Sequence, residues 1–94
     1  MDITNYEYHI INDPTGIMAG QRYEFLIDIE VEEDDELYQE GGVELRLIFA
    51  IDGEKAWVAQ HHFVGKLTEK VLEFGLEEDE EAEVAAFCRS KIGN

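Results

Sequence analysis

The chain is short of cysteine and of basic residues. It has one cysteine, Cys88, and only seven lysine and arginine residues among 94. A single cysteine cannot form an internal disulfide, so the fold must hold without one. Seven basic residues are too few to neutralise a nucleic acid or an anionic membrane surface, because phosphates are bound mainly by lysine and arginine. We therefore expect no direct nucleic-acid partner and no membrane association.

Long apolar runs are also missing. No uninterrupted apolar segment approaches the roughly 20 residues that a membrane span requires. The first residues, Met1 to Asn5, show neither the basic start nor the apolar stretch of a signal peptide. Together with the single cysteine, these features predict a cytoplasmic protein.

Catalytic motifs are not recognisable in this sequence. The hydroxyl side chains lack the surroundings of a nucleophile elbow or a phosphate loop; they include Thr4, Thr15, Thr68 and Ser90. Cys88 falls on the apolar stripe of a helix near its C-terminus, where a thiolate is not stabilised, so we expect a core residue and not a nucleophile. The sequence predicts no catalytic residue and no cofactor.

Metal-ligating patterns are equally weak. His61 and His62 are adjacent, and neighbours on a strand point to opposite faces, so His9 would have to supply a second imidazole. We instead expect a half-buried histidine, hydrogen-bonded near the sheet edge and facing Glu44. The run Glu32–Glu36 lacks the spacing of an EF-hand. The sequence predicts no dedicated metal site, only weak cation binding by that run.

Carboxylates are what the chain has in excess. There are 23 aspartate and glutamate residues, and the formal charge is −16. They concentrate in two blocks, Asp28 to Glu40 and Glu77 to Glu83. Such density keeps a protein soluble and attracts basic surfaces. The candidate partner-binding acidic surface consists of Glu32, Glu33, Asp34, Asp35, Glu36, Glu77, Glu78 and Asp79.

Composition otherwise indicates a folded protein. Hydrophobic residues make up 45% of the chain and aromatic residues 11%, and they cluster in periodic runs. A chain of this length buries roughly 60 to 65% of its unfolded surface. We expect one globular domain over residues 1–94.

Strict alternation predicts three strands. The clearest runs from Arg22 to Glu32, and its apolar side consists of Tyr23, Phe25, Ile27, Ile29 and Val31. A similar pattern around Tyr6 to Ile10 predicts a first strand, and Val43 to Ile51 another. Asn12 to Gly16 should form a turn, with Ile17 and Met18 tucked under the connection that follows. The acidic stretch from Glu32 to Gly42 should be a loop, with a helical turn around Asp35 to Tyr38 and Leu37 and Tyr38 as its anchors.

A fourth strand, Ala56 to Val64, should follow a hairpin at Asp52-Gly53. A two-residue type I′ turn would place Val58 and His62 on the core side. One extra residue with a glycine bulge would instead place Trp57, Ala59, His61 and Phe63 there. We favour the second register, because Trp57 and Phe63 carry more apolar area.

The last part of the chain should form a helix. Val84, Phe87, Cys88 and Ile92 repeat at helical spacing, with acids before them and bases near the end, as the helix dipole favours. Residues 68–75 fit a short helix capped by Thr68 or a strand over Val71 to Leu76. The predicted fold is α+β: a four-stranded antiparallel sheet with one or two C-terminal helices packed on one face.

Several segments carry a family resemblance. They are Asp13 to Ile17, Gly20 to Phe25, Val71 to Phe74, Glu77 to Glu81 and Phe87-Cys88. The chain resembles a family of small acidic proteins of unknown function from Bacillus-type bacteria. The resemblance implies no established activity. Some members bear a pullulanase label, which is a mislabelling for such a chain because that chemistry belongs to barrels of ~250 residues.

Three functional classes are compatible with these features. The leading hypothesis is a non-enzymatic protein-binding or regulatory module whose acidic face engages a basic protein partner. One alternative is a small-molecule or carbohydrate-binding module whose stacking groups would be Trp57, Tyr6, Tyr8, Tyr23 and Tyr38. The other is a small enzyme of unknown class. The oligomeric state is not predicted.

Overall fold

The computed structural model describes residues 2–12, 16 and 20–92. Its elements are β1 (Asp2–Ile11), β2 (Gln21–Glu30), β3 (Val43–Asp52), β4 (Lys55–Gly65), β5 (Val71–Leu72) and α1 (Glu78–Ile92). The five strands form one antiparallel sheet in chain order. The α+β class is confirmed, but the sheet has five strands and not four. The turn predicted at Asn12–Gly16 and the packing of Ile17 and Met18 fall largely outside the described residues.

Strands β2 and β3 build most of the core by alternation. Phe25, Ile27 and Ile29 of β2 are buried on one face, as are Val43, Leu45, Leu47 and Phe49 of β3. Their register pairs Phe25 with Leu47 and Ile27 with Leu45. Large side chains therefore stand side by side on the face that the helix covers. The predicted apolar faces of both strands are confirmed.

Helix α1 covers this face of the sheet. Val84 and Cys88 are buried in the core cluster, one helical turn apart. The Phe87 ring contacts Tyr6 of β1 edge to face at 5.3 Å. The Tyr8 hydroxyl donates to the Lys91 carbonyl oxygen at 3.3 Å. The last predicted helix is confirmed, and it packs on one face as expected.

The segment before α1 forms a short strand and no helix. The Gly65 N–H donates to the Lys70 carbonyl oxygen at 2.9 Å, and the Glu69 N–H donates to the Gly65 carbonyl oxygen at 2.7 Å. Glu69 has φ +59°, outside the right-handed helical region. These bonds turn the chain back along β4. The strand alternative for this segment is confirmed at Val71–Leu72 only and does not extend to Leu76, and the capped helix is wrong.

The β3–β4 hairpin departs from both predicted registers. Its turn is Gly53-Glu54, and Gly53 has φ +64°, as the first position of a type II′ turn requires. Ile48 pairs with Gln60 while Phe49 pairs with Val58, so Ala59 is an extra residue, a β-bulge.

The bulge changes which residues of β4 face the core. His61 and Phe63 lie on the core side, as predicted. Trp57 and Ala59 do not, because the bulge shifts the alternation and brings Val58 inward instead. The Trp57 side chain stays 38% exposed on the opposite face, and the Arg22 guanidinium lies over its ring at 5.9 Å. That cation–π contact offsets part of the free energy that burial of the indole would have contributed.

The acidic loop between β2 and β3 consists of β-turns. Asp35 N–H donates to the Glu32 carbonyl oxygen and Tyr38 N–H to that of Asp35, each at 3.0 Å. The helical turn predicted at Asp35 to Tyr38 is wrong, because these i to i+3 bonds close separate turns. Leu37 packs against the core cluster and anchors the loop, as expected, whereas Tyr38, the second predicted anchor, is exposed and does not pack against that cluster.

One glycine is fixed by its surroundings. Gly20 precedes β2 with φ +74°, and a Cβ there would stand inside van der Waals contact of the Ile51 carbonyl oxygen. Both the left-handed backbone and the close approach require glycine at this position.

Candidate functional site: an acidic groove

The strand registers bring both acidic blocks to one end of the sheet. At this end β1 begins opposite the end of β2, and β3 begins opposite the end of β4, through the pairs Asp2–Glu30 and Val43–Gly65. The loop after β2 and the segment leading into α1 leave the sheet here. Between them lies a cleft of about 540 Å³, which we call the acidic groove.

The rim of the acidic groove is made of carboxylates. They come from the first acidic block, from the start of α1 and from the ends of β1 and β2: Glu32, Asp35, Glu36, Glu77, Glu80, Asp2 and Glu30. Within residues 2–12, 16 and 20–92, the residues that line the groove include no lysine, arginine or histidine. Like charges are therefore held together around one cleft without an internal counterion among the lining residues, which gives the groove a strongly negative potential.

The floor of the groove is apolar. Ile29 and Phe63 form its buried base, and Val31, Leu37 and Phe74 extend it toward the rim. Phe74 remains 42% exposed. The groove thus combines anionic groups at its mouth with accessible hydrocarbon beneath them.

One wall of the groove is the turn that contains Leu37. The Leu37 N–H donates to Asp35 Oδ1 at 2.9 Å, which folds the Asp35 carboxylate into its own turn. Leu37 itself is half-buried against the core. This local bond and the apolar anchor hold Glu32 and Glu36 at the rim on a defined backbone.

The other wall runs from Phe74 into the helix. The Leu76 N–H donates to His61 Nε2 at 3.0 Å, and this bond ties the wall to β4. His61 is half-buried and hydrogen-bonded, as predicted, but its partner is the Leu76 amide and not Glu44.

The start of α1 stabilises itself with its own acids. The Glu77 N–H donates to Glu80 Oε1 at 3.0 Å, and the Glu81 N–H makes the first helical bond to the Glu77 carbonyl oxygen at 2.8 Å. This is half of a capping box, with glutamate at the N-cap. Carboxylates at the positive end of the helix dipole are each stabilised by it, and this offsets part of their mutual repulsion. The helix start therefore tolerates the charge that it adds to the groove.

The eight residues selected from the sequence divide into two groups. Glu32, Asp35, Glu36 and Glu77 line the groove. The other four belong to the same blocks but are not among the lining residues: Glu33, Asp34, Glu78 and Asp79. Sequence reasoning missed Glu80, which the spacing of a capping box signals, and Asp2 and Glu30, which only the β1–β2 register brings in.

The ion pairs formed within the described ranges lie away from the groove carboxylates. Lys66 Nζ contacts Asp28 Oδ1 at 3.0 Å, and His9 Nε2 contacts Glu24 Oε1 at 3.1 Å. Arg46 Nε donates to Glu44 Oε1 at 2.6 Å, and this bond raises the pKa of Arg46 above its usual value. The basic residues in these pairs therefore contact acids outside the groove.

Cys88 offers no reactive group. Its side chain has no exposed surface, and burial raises the pKa of the thiol from 9.0 to about 12. The prediction that Cys88 belongs to the core is confirmed. Over residues 2–12, 16 and 20–92, no three His, Cys, Asp or Glu side chains converge as metal ligands. Over the same residues, no helix is long and apolar enough to cross a membrane.

The aromatic residues of the alternative binding hypothesis do not share one surface. Tyr8 stacks on Phe25 at 4.9 Å and contacts Tyr23 edge to face at 6.1 Å, on the helix side of the sheet. Trp57 lies on the opposite face. A single stacking platform for a sugar ring is therefore not formed by this set.

Comparison with protein families gives one match. Residues 1–94 match DUF6509, a family of unknown function. The chain belongs to this family. The resemblance to an uncharacterised family is thus confirmed at that level, and DUF6509 membership brings no activity with it. Searches of the curated proteins and of the solved structures found no significant match.

Proposed function

We propose that this member of DUF6509 is a non-enzymatic protein-binding or regulatory module that engages a basic surface of a partner protein through the acidic groove. One observation carries the proposal. Two acidic blocks separated in sequence by β3, β4 and β5 converge on a single cleft whose lining, among the residues that the structure describes, contains no lysine, arginine or histidine. Charge scattered only for solubility would not need to converge.

The physical basis of recognition is electrostatic. Carboxylates gathered around a cleft with an apolar floor produce a stronger local potential than the same charges spread over a convex surface, because field lines concentrate in low-dielectric clefts. Such a field accelerates association with basic surfaces and disfavours anionic ones. A basic protein therefore fits as the partner, and nucleic acid or an anionic membrane does not.

The proposal includes a cytoplasmic and bacterial setting. A buried, unpaired thiol is compatible with a reducing compartment, where disulfides are rare. The segments that resemble small acidic proteins of Bacillus-type bacteria support the bacterial origin. In this setting the protein has basic partners within reach, including those that themselves handle nucleic acid.

A lysine-rich probe peptide tests the proposal directly. Binding of a fluorescein-labelled octalysine is measured by anisotropy over a series of NaCl concentrations. We expect affinity to fall steeply with salt, since exposed charge pairs are screened over about 10 Å at 0.1 M. Binding that is indifferent to salt, or no binding at low salt, would refute the electrostatic mechanism.

Matched charge variants locate the binding surface. Glu32→Gln with Glu36→Gln removes two charges from the groove rim, while Glu33→Gln with Asp34→Asn removes two from the same loop outside the lining. Exposed pairs contribute about 0.2 to 1 kcal/mol each, so the rim variant should bind the probe about two- to thirtyfold more weakly. Equal losses in both variants would show that net charge alone, and not the groove, attracts the peptide.

A further inference from the structure

The apolar floor of the acidic groove is not explained by charge attraction alone. Phe74 is a large aromatic side chain, 42% exposed, set among carboxylates. Beneath it, Phe63 and Ile29 continue the apolar surface into the core. Accessible hydrocarbon at the base of a charged cleft is typical of a site that takes an apolar group of the ligand.

The walls of the groove are already fixed in the protein alone. The Leu76–His61 hydrogen bond holds one wall to β4, and the Leu37–Asp35 bond fixes the opposite turn. A pre-formed cleft loses little conformational entropy when it is filled. Its volume of about 540 Å³ falls within the ~300 to 1,000 Å³ of ligand sites.

Charge complementarity selects the occupant. A second copy of the chain carries a net charge of −16, so the carboxylates of the rim would repel it, and they would repel a polyanion for the same reason. A segment with cationic groups on both sides of an apolar side chain matches the rim and the floor together.

We infer that the acidic groove binds a short segment of the partner protein in which one large apolar side chain is flanked on both sides by lysine or arginine. The inference rests on the proposed function and adds one feature to it: the large apolar side chain of the partner, which we call the anchor. The apolar side chain inserts against Phe74 and Phe63, while the flanking cations meet carboxylates on the two walls, such as Glu36 and Glu80.

Two probe peptides separate the anchor from the charge. Each has nine residues, four lysines on either side of a central position that is leucine in one peptide and serine in the other. Fluorescence anisotropy in 150 mM NaCl measures both affinities. We expect the leucine peptide to bind about tenfold or more tightly than the serine peptide, which corresponds to burial of one leucine side chain.

Variants of two exposed apolar residues assign the anchor site. Phe74→Ala removes the most exposed side chain of the floor, and Leu67→Ala removes a 69% exposed side chain from the turn after β4, outside the groove. Phe74→Ala should bring the two peptides to equal affinity, whereas Leu67→Ala should preserve the preference for leucine. Changes in the NMR chemical shifts of the Leu37 and Leu76 amides, followed during titration with the leucine peptide, give a second measurement that needs no variant.

The outcomes distinguish the inference from the proposed function. Equal binding of both peptides to the wild-type protein would overturn the anchor while leaving the basic-partner proposal intact. A preference for leucine that survives Phe74→Ala, without shifts at Leu37 and Leu76, would place the anchor elsewhere and also overturn it. Failure of both peptides to bind even at 20 mM NaCl would overturn both ideas. Self-association that Phe74→Ala abolishes would show that a second copy occupies the groove.

Discussion

Burial of Cys88 should make the protein lose stability at alkaline pH. The thiol has a pKa of about 12 in the folded protein, against 9.0 when it is free of the fold. The folded state therefore holds this proton more tightly than the unfolded state does. The stabilising contribution is complete below pH 9 and is lost as the pH rises toward 12.

The size of the loss follows from the two pKa values. Between pH 8 and pH 10 the unfolded thiol passes from about one-tenth to about nine-tenths ionised, while the folded thiol stays almost wholly protonated. Proton linkage then lowers the free energy of unfolding by roughly 1 kcal/mol over this interval. Other groups also titrate there, so the effect must be isolated with a variant.

The measurement compares the wild-type protein with Cys88→Ala in urea, followed by far-ultraviolet circular dichroism at pH 8 and pH 10. Between the two pH values, the free energy of unfolding of the variant is expected to fall by roughly 1 kcal/mol less than that of the wild type, whatever its stability at pH 8. All other side chains are the same in both proteins, so their contributions cancel in the comparison. An identical pH-dependent loss in the two proteins would refute the reasoning.

Reaction of the same thiol gives an independent check. At pH 8 the folded protein holds about one-thousandth of the thiolate present in the unfolded chain, from the pKa difference alone. Labelling by a thiol reagent should therefore be at least about a thousandfold slower in buffer than in denaturant. Rates within tenfold of each other would mean that Cys88 is not buried as described.

Three further predictions concern charge, backbone and the groove wall. Raising NaCl from 20 to 300 mM should raise Tm, by about 4 to 8 °C for each kcal/mol of carboxylate repulsion removed. Gly20→Ala should lower the free energy of unfolding, measured in urea, by more than about 2 kcal/mol, because it combines a left-handed backbone with a steric clash. Gly53→Ala should lower it by about 1 kcal/mol, because Gly53 has a similar φ but open space around it. His61→Leu should accelerate hydrogen exchange at the Leu76 amide, while His62→Leu, on the opposite face of β4, should not.

Each of these has a clear contrary result. A Tm that does not move with salt would mean that the carboxylates are already compensated. Equal losses for the two glycine variants would show that the contact at Gly20 is relieved by movement. Unchanged exchange at Leu76 in His61→Leu would show that the amide does not depend on the imidazole.

Residue periodicity was sufficient to predict β2, β3 and α1. In these elements the apolar residues recur at intervals of two or of three and four, and each element buries one face, so pattern and packing agree. Phe25 and Val84 are buried where the pattern places them.

The register of β4 could not be predicted in the same way. Choosing the face with more apolar area placed Trp57 inside, but the bulge at Ala59 reverses the alternation, and no local residue pattern marks it. The contact between Trp57 and Arg22 joins β4 to β2, so the sequence around either residue gives no sign of it.

The acidic groove was predictable in part only. The carboxylate blocks are visible as composition, and Glu32 and Glu77 were selected from them. Their meeting depends on strand registers, and the apolar floor depends on which side of β4 carries Phe63. Both are long-range properties that local periodicity does not encode.

The extra residue in β4 also determines where this chain can change length. Because Ala59 stands opposite no partner, a homologue that lacked it would keep Val58 beneath the helix and Trp57 outside, and would lose only the additional twist. Loss of one residue elsewhere in the strand would instead turn part of β4 over. Among relatives of different length, gaps within β4 should therefore align with Ala59.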